Sequence, residues 1–191
     1  MDKNKKIAGA SMLGARFIDP ECIISRLDFR NGMKIANFGC GTGYFAFPIA
    51  KKVGPDGTVW ALDVLPQKIE SVESQAKLSG VTNIITKRVN LENEKGSGLL
   101  KESADWVILV NMLFQNSNKD AVLAETKRVL KKTGKILLIE WEEKELLIGP
   151  KKDLKISKQE MFGIAKKNNL EIASEIEASN FHYGLILKKQ R

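Results

Sequence analysis

The sequence predicts an α/β fold, a three-layer α/β/α sandwich in which a mostly parallel sheet is covered by helices on both faces, and three observations predict it. Strand-like and helix-like patterns alternate along the whole chain. Residues 106–110 are nearly all apolar, as a central parallel strand buried on both faces must be. Residues 35–38 form an apolar run that enters the turn Gly39-Cys40-Gly41-Thr42-Gly43, and a second strand-like run, residues 59–62, stops on Asp63.

The elements follow in order. Asp19-Pro20-Glu21 is a helix N-cap with proline at the first helical position, opening a short helix through Leu27. A first strand is expected at residues 34–38 and a helix at about 43–53, with Pro48 early enough that its missing N–H costs little. Gly54-Pro55-Asp56-Gly57 marks a turn before the second strand. Residues 66–79 predict a helix with Ile69, Val72 and Ala76 on one face and Gly80 as its stop. Residues 84–89 read as the third strand, 90–103 as a polar loop, and 119–131 as a helix that ends in the turn Lys132-Thr133-Gly134. Ser157 and Glu160 form a capping box for the last helix, and residues 170–176 and 183–187 make a closing pair of strands.

At 191 residues the chain is expected to be one domain over 1–191, with residues 1–16 as an N-terminal extension. No apolar run approaches the ~20 residues a bilayer span needs, and residues 1–6 are polar, unlike a signal peptide, so a cytoplasmic protein is expected. Two cysteines, Cys22 and Cys40, supply neither a disulfide framework nor a four-ligand zinc site, and no metal is expected. The net charge of +8 raises the question of nucleic acid. The basic residues come mostly as pairs spread along the chain, such as Lys51-Lys52 and Lys166-Lys167, without an arginine cluster or interleaved aromatics. That pattern favours a solvated lysine-rich surface over a phosphate-binding stripe.

The glycine turn carries the chemistry. An apolar run feeding G-x-G-x-G, with an acid twenty residues past the last glycine (Gly43 to Asp63), describes a pocket for an adenosine-containing cofactor. Glycines let the backbone approach the ligand, and the carboxylate accepts from ribose hydroxyls. A dinucleotide fingerprint would place its third glycine at position 44, which is Tyr44, so the spacing leans away from NAD. No Lys or Arg occurs between Ile35 and Ala50, so nothing there is built to cradle a triphosphate. A cofactor with a ribose and no phosphate fits better.

With Val89-Asn90-Leu91-Glu92 after the third strand, Ala104-Asp105-Trp106-Val107-Ile108-Leu109-Val110-Asn111 as the fourth, and Gly134-Lys135-Ile136-Leu137-Leu138-Ile139-Glu140-Trp141 as the fifth, the chain resembles a class I S-adenosylmethionine-dependent methyltransferase. Within that class it is similar to the small-molecule branch typified by the ubiquinone/menaquinone methyltransferases, from about Phe17 to the C-terminus. The resemblance implies a Rossmann-like seven-stranded sheet whose last strand is antiparallel and lies between strands five and six. It implies S-adenosyl-L-methionine as cofactor, held by Asn37, Gly39, Cys40, Gly41, Asp63, Val64, Asn90, Leu91 and Asn111. The closing hairpin, residues 179–183, then approaches a substrate pocket that also draws on Phe17, Tyr44, Phe114 and His182. A small-molecule substrate is implied; the acceptor and the oligomeric state stay open.

Several positions carry two readings. Asn37 stands where the family usually has an acid; the amide keeps an acceptor and loses the charge. Asn90 stands where an acid often contacts the adenine amino group, and the alternative is a loop cap. These two changes leave a non-catalytic cofactor-binding scaffold as an alternative, and the basic charge leaves RNA or protein methylation as another. Asn111-Met112-Leu113-Phe114 replaces anything like N-P-P-Y, which argues against base N-methylation by that route. Because the sulfonium is itself the electrophile, positioning residues are expected, with His182, the single histidine, as the candidate base and packing as its alternative. Trp60, Trp106 and Trp141 are expected in the core.

Overall fold

The computed structural model describes residues 17–144 and 148–190. The extension expected at residues 1–16 lies outside them. In chain order the elements are α1 (Pro20–Ser25), β1 (Lys34–Phe38), α2 (Ala46–Val53), β2 (Thr58–Asp63), α3 (Pro66–Ser79), β3 (Ile84–Arg88), β4 (Ala104–Val110), a 3-10 turn (Leu113–Gln115), α4 (Lys119–Val129), β5 (Leu130–Trp141), a second 3-10 turn (Lys152–Leu154), α5 (Lys158–Lys167), β6 (Leu170–Glu177) and β7 (His182–Lys189). Among the described residues no helix is long and apolar enough to cross a membrane.

The seven strands form one sheet in the order β3-β2-β1-β4-β5-β7-β6. β1 to β5 pair in parallel, and β7 runs antiparallel between β5 and β6, as the resemblance implies. The chain winds outward from β1 through β2 to β3, then crosses back to β4. The switch point therefore lies between β1 and β4, and ligands in such sheets bind outside the carboxyl ends of the strands at that point.

Alternate side chains of the central strands enter two separate cores. Val107 and Leu109 of β4 join Ile136 and Leu138 of β5 against α4 and α5 on one face. Trp106 and Ile108 join Leu137 and Ile139 against α1, α2 and α3 on the other. Each fully buried Leu or Ile contributes about 1.5–3 kcal/mol, so these strands anchor the edge that carries the site. Trp106 is core, edge-on to Phe29 at 5.0 Å; Trp60 and Trp141 are only half-buried.

Local chemistry sets the helix ends. Asp19 Oδ1 accepts from Cys22 N at 3.1 Å, and Ser157 Oγ accepts from Glu160 N at 3.1 Å. α1 stops at Ser25 instead of Leu27, and α2 begins at Ala46 instead of Gly43. The reason for the latter is that Gly39, Gly41 and Gly43 all have positive φ (67°, 54° and 89°), so the turn continues through Gly43 before the chain becomes helical. The expected turn at residues 132–134 belongs to β5. Pairing with β4 jumps from Ala104↔Leu130 to Trp106↔Lys135, two residues on one strand against five on the other, so the intervening residues bulge.

Candidate functional site

The glycine turn and Asp63 lock together at the switch point. Asp63 Oδ2 accepts from Gly41 N at 2.9 Å and Oδ1 accepts from Leu65 N at 3.0 Å. Each carboxylate oxygen is thus oriented by one backbone N–H and keeps lone-pair capacity for a ligand hydroxyl. Cys40 N donates to Leu62 O at 2.9 Å and Gly43 N to Cys40 O at 3.0 Å. With these three N–H groups engaged inside the protein, the turn keeps fewer free donors than a phosphate nest uses. A Cβ built on Gly41 would project into open space, so that glycine keeps the approach to the backbone clear.

Beside this turn lies a cleft of about 560 Å3, within the roughly 300–1,000 Å3 of small-molecule sites. Seven of the nine residues expected at a cofactor line it: Gly39, Gly41, Asp63, Val64, Asn90, Leu91 and Asn111. Asn37 and Cys40 lie beneath it, both buried. The Asn37 Nδ2 donor has no hydrogen-bond partner among the described residues. Cys40 packs with Ile23 and Phe45. Burial first, and then the Asp63 charge, pushes its thiol up to about 12, so it stays protonated and acts as a small core residue. Asn90 Oδ1 accepts from Glu92 N at 2.9 Å, the loop-cap arrangement. Sequence reasoning missed Leu65, Lys68, Gln115 and Asn116 of the lining, which carry no motif of their own.

The other half of the strand ends is built differently. Asn111 follows β4 with φ 51°, a left-handed conformation that asparagine tolerates better than most residues. Its N–H donates to Ile139 O at 2.8 Å, its Nδ2 lies 3.0 Å from His182 Nε2, and its Oδ1 is buried without a partner among the described residues. His182 Nδ1 lies 2.8 Å from Ser179 Oγ, and its ring sits 4.0 Å from that of Trp141, centroid to centroid. Burial, and then the Lys155 charge, lowers the His182 pKa to about 4. A general base works best with a pKa near the operating pH, so His182 fits a neutral hydrogen-bonding residue better than a proton acceptor.

Phe17 is 61% exposed and stacks on Phe181 with centroids 5.1 Å apart. Tyr44, 60% exposed, donates its hydroxyl to Ile18 O at 2.8 Å and is not part of the cleft lining. Phe114 packs against the core. The structure therefore brings His182 to the cleft through Asn111 and leaves Tyr44 and Phe114 outside its lining.

Glu140 is a further buried group that the sequence argument passed over. It is 1% exposed, and its Oε1 accepts from Leu113 N at 2.8 Å. Burial pushes its carboxyl up to about 7, against the pull of the Leu113, Phe114 and Met112 N–H groups and the Lys119 charge. It thereby fixes the turn that follows Asn111. Its only visible signal was an acid ending the apolar run of residues 136–139.

Fold and site together define a small α/β protein with a cleft and a backbone-held carboxylate at a switch point. Residues 29–189 match the family described as Methyltransferase domain, and the chain belongs to that family. It is similar to the ubiquinone/menaquinone biosynthesis C-methyltransferase UbiE of Bordetella avium, 31% identical over 130 residues, which is 68% of this chain and 49% of that protein. The chain spans about half the length of the curated relatives it matches. Its fold is that of a SAM dependent methyltransferase from Aquifex aeolicus, with a TM-score of 0.83, 23% identity and 98% of each chain covered. The cyclase SpnF shares the fold as well, with a TM-score of 0.75 and 14% identity over 90% of this chain and 80% of that one. Function is therefore argued from the site and not from the fold.

Proposed function

We propose that this chain is an S-adenosylmethionine-dependent methyltransferase acting on a small-molecule acceptor. The observation that carries the proposal is the Asp63 carboxylate, held by Gly41 N and Leu65 N at 2.9 and 3.0 Å, beside a turn whose N–H groups at Cys40, Gly41 and Gly43 are already engaged. That arrangement suits ribose hydroxyls, and it leaves few donors of the turn for a diphosphate. One neutral atom of the lining without a partner among the described residues fits the zwitterionic end of such a cofactor: Asn111 Oδ1 can accept from an ammonium. When bound, the cofactor supplies an electrophilic methyl group. The residues of this chain orient it: Asp63 fixes the ribose, Asn111 the amino-acid end, and Asn90 and Leu91 line the same cleft.

A nucleic-acid substrate is not favoured, because the lysines at 131, 135, 158, 167 and 188 pair with the chain's own carboxylates. The names of the curated relatives support a small organic acceptor. Calorimetric titration tests the cofactor assignment. Saturable binding of S-adenosylmethionine and S-adenosylhomocysteine is expected, with NAD weaker by at least about tenfold, and no S-adenosylmethionine binding at millimolar concentration would sink the proposal.

A further inference from the structure

The cleft occupies the carboxyl ends of the parallel strands. At their amino ends, about 20 Å away along the seven residues of β4, four segments of the chain meet. Glu102 N donates to Arg128 O at 3.0 Å where the chain enters β4, and Ala104 pairs with Leu130, the first residue of β5. Lys189, at the end of β7, pairs with Leu170, the first residue of β6, and its Nζ donates to Leu130 O. Lys127 Nζ donates to Asn168 O at 2.8 Å, tying the end of α4 to the end of α5.

These contacts gather Lys101, Lys127, Lys132 and Lys189 at one end of the molecule. None of the four pairs with a carboxylate among the described residues, whereas Lys131, Lys135, Lys167 and Lys188 each do. The carbonyls that hold Lys127 and Lys189 accept hydrogen bonds and leave the charges uncompensated. The lysines also repel one another: burial first lowers the Lys189 pKa, and the Lys101, Lys127 and Lys132 charges lower it further against the pull of Glu102. Complementing a helix dipole accounts for Lys127 alone, in the last turn of α4, since Lys101 lies in a loop and Lys132 and Lys189 in strands. Leu100, next to Lys101, is 80% exposed. No aromatic residue occurs in residues 99–104, 127–135 or 188–190.

We propose that this end of the molecule docks on an anionic lipid surface, with the ammonium groups of Lys101, Lys127, Lys132 and Lys189 facing the headgroups and Leu100 entering the interface. Charge complementarity carries the proposal: a plane of anionic headgroups supplies each of the mutually repelling lysines with a counter-charge. Leu100 adds apolar area that such a surface can bury. A single-stranded nucleic acid offers similar phosphates, but its binding sites use aromatic side chains to stack the bases, and this patch has none. Docking by the amino ends leaves the cleft facing away from the surface and open to solution. The inference is independent of the cofactor assignment, because no residue of the patch lines the cleft.

Vesicle co-sedimentation of the whole chain tests the proposal, with phosphatidylcholine alone, an equal mixture of phosphatidylcholine and phosphatidylglycerol, and a single-stranded oligouridylate as probes. The protein should sediment with the mixed vesicles, stay in solution with the neutral ones, and be released as salt rises. A lysine near such a surface is worth about fivefold in binding, so Lys101→Glu combined with Lys132→Glu should weaken it by at least about 25-fold. Lys51→Glu combined with Lys52→Glu makes the same change in net charge on α2 and should leave binding within about threefold of the parent. Leu100→Asn should weaken it severalfold at unchanged charge. All five positions are exposed, so the melting temperatures of the variants should match that of the parent. No binding to the mixed vesicles, equal binding to neutral and anionic vesicles, or equal losses in the two double variants would overturn the proposal. Patch-dependent binding of the oligonucleotide without binding to vesicles would also overturn it and give the patch to nucleic acid.

Discussion

The strand ends over β1 and β2 and those over β4, β5 and β7 face the same space, yet they are assembled in opposite ways. Over β1 and β2 a single stretch, residues 37–65, supplies the turn, the carboxylate and the N–H groups that hold it, and Asp63 is satisfied before any ligand arrives. Over β4, β5 and β7 the working residues are Asn111, Glu140, Trp141, Ser179 and His182, drawn together from distant parts of the chain. Here the backbone is left-handed at Asn111, and two of the three unpartnered buried polar atoms among the described residues, Asn111 Oδ1 and Glu140 Oε2, are found. Leaving such an atom unpaired costs about 1–3 kcal/mol. One half is therefore a preformed socket, and the other carries unmet polar capacity that a ligand can satisfy.

The largest effect should come from breaking the socket. If Asp63 holds the ribose as proposed, Asp63→Ala removes two hydrogen bonds to a charged acceptor, at about 1.5–3 kcal/mol each, and should weaken S-adenosylmethionine binding by an order of magnitude or more. It also frees Gly41 N, half-buried, and Leu65 N, exposed, both beside the cleft, where water can replace the carboxylate. The loss should therefore show in calorimetric affinity far more than in melting temperature. Unchanged affinity would remove the ribose assignment and with it the contrast between the two halves.

The second effect concerns stability and pH. The Glu140 carboxyl rises from its ordinary 4.5 to about 7 in the folded protein, chiefly through burial. Folded protein thus holds the proton more tightly than unfolded chain, so this group's contribution is greatest below 4.5 and is lost as pH rises through about 7. His182 acts in the other sense: its pKa falls from 6.5 to about 4, so its contribution is present above 6.5 and lost as pH falls toward 4. Glu140→Gln keeps the acceptor for Leu113 N and removes the first of these dependences. Denaturant unfolding should find the variant about 3 kcal/mol more stable than the parent at pH 8, shrinking toward zero near pH 4. A pH-independent difference would mean that Glu140 does not titrate in this range. Cofactor affinity is expected to stay within about threefold of the parent if the 3-10 turn is kept.

The same contrast decides how much the sequence disclosed. The socket was legible because its parts are local: a strand, three glycines at positive φ, a strand-end acid, all within one stretch whose spacing encodes its geometry. Sheet order came from the family resemblance, with β7 between β5 and β6, and not from any pattern in residues 170–189. Over β4, β5 and β7 single residues such as Asn111 and His182 were readable, but their hydrogen-bonded arrangement was not. Nothing near Ser179 in the sequence announces a partner on β7 or a link to Asn111, 71 residues from His182. Asn90 illustrates the middle case: its position in the motif was readable, but that its oxygen caps Glu92 N was decided by the local loop geometry. Tyr44, for which packing over a ligand and packing in the core were equally open, donates its hydroxyl to Ile18 O, in the chain that leads into α1.

The smallest effect on stability is expected at Asn111, where it discriminates best. Glycine adopts φ 51° without the penalty a side chain carries there, while Asn111→Gly loses the hydrogen bond to His182 Nε2. The gain is at most about 1 kcal/mol, because asparagine already tolerates the left-handed region, and the lost bond costs about 1 kcal/mol. The two nearly cancel, so the unfolding free energy should move by less than about 1 kcal/mol. S-adenosylmethionine affinity should nonetheless fall severalfold, and the His182 ring resonances should report a mixture of tautomers once nothing donates to Nε2. A destabilisation beyond about 2 kcal/mol with unchanged cofactor affinity would make Asn111 a structural residue of the β4 end. A near-silent change in stability joined to weaker binding would show that the strained backbone at this half is kept for the ligand.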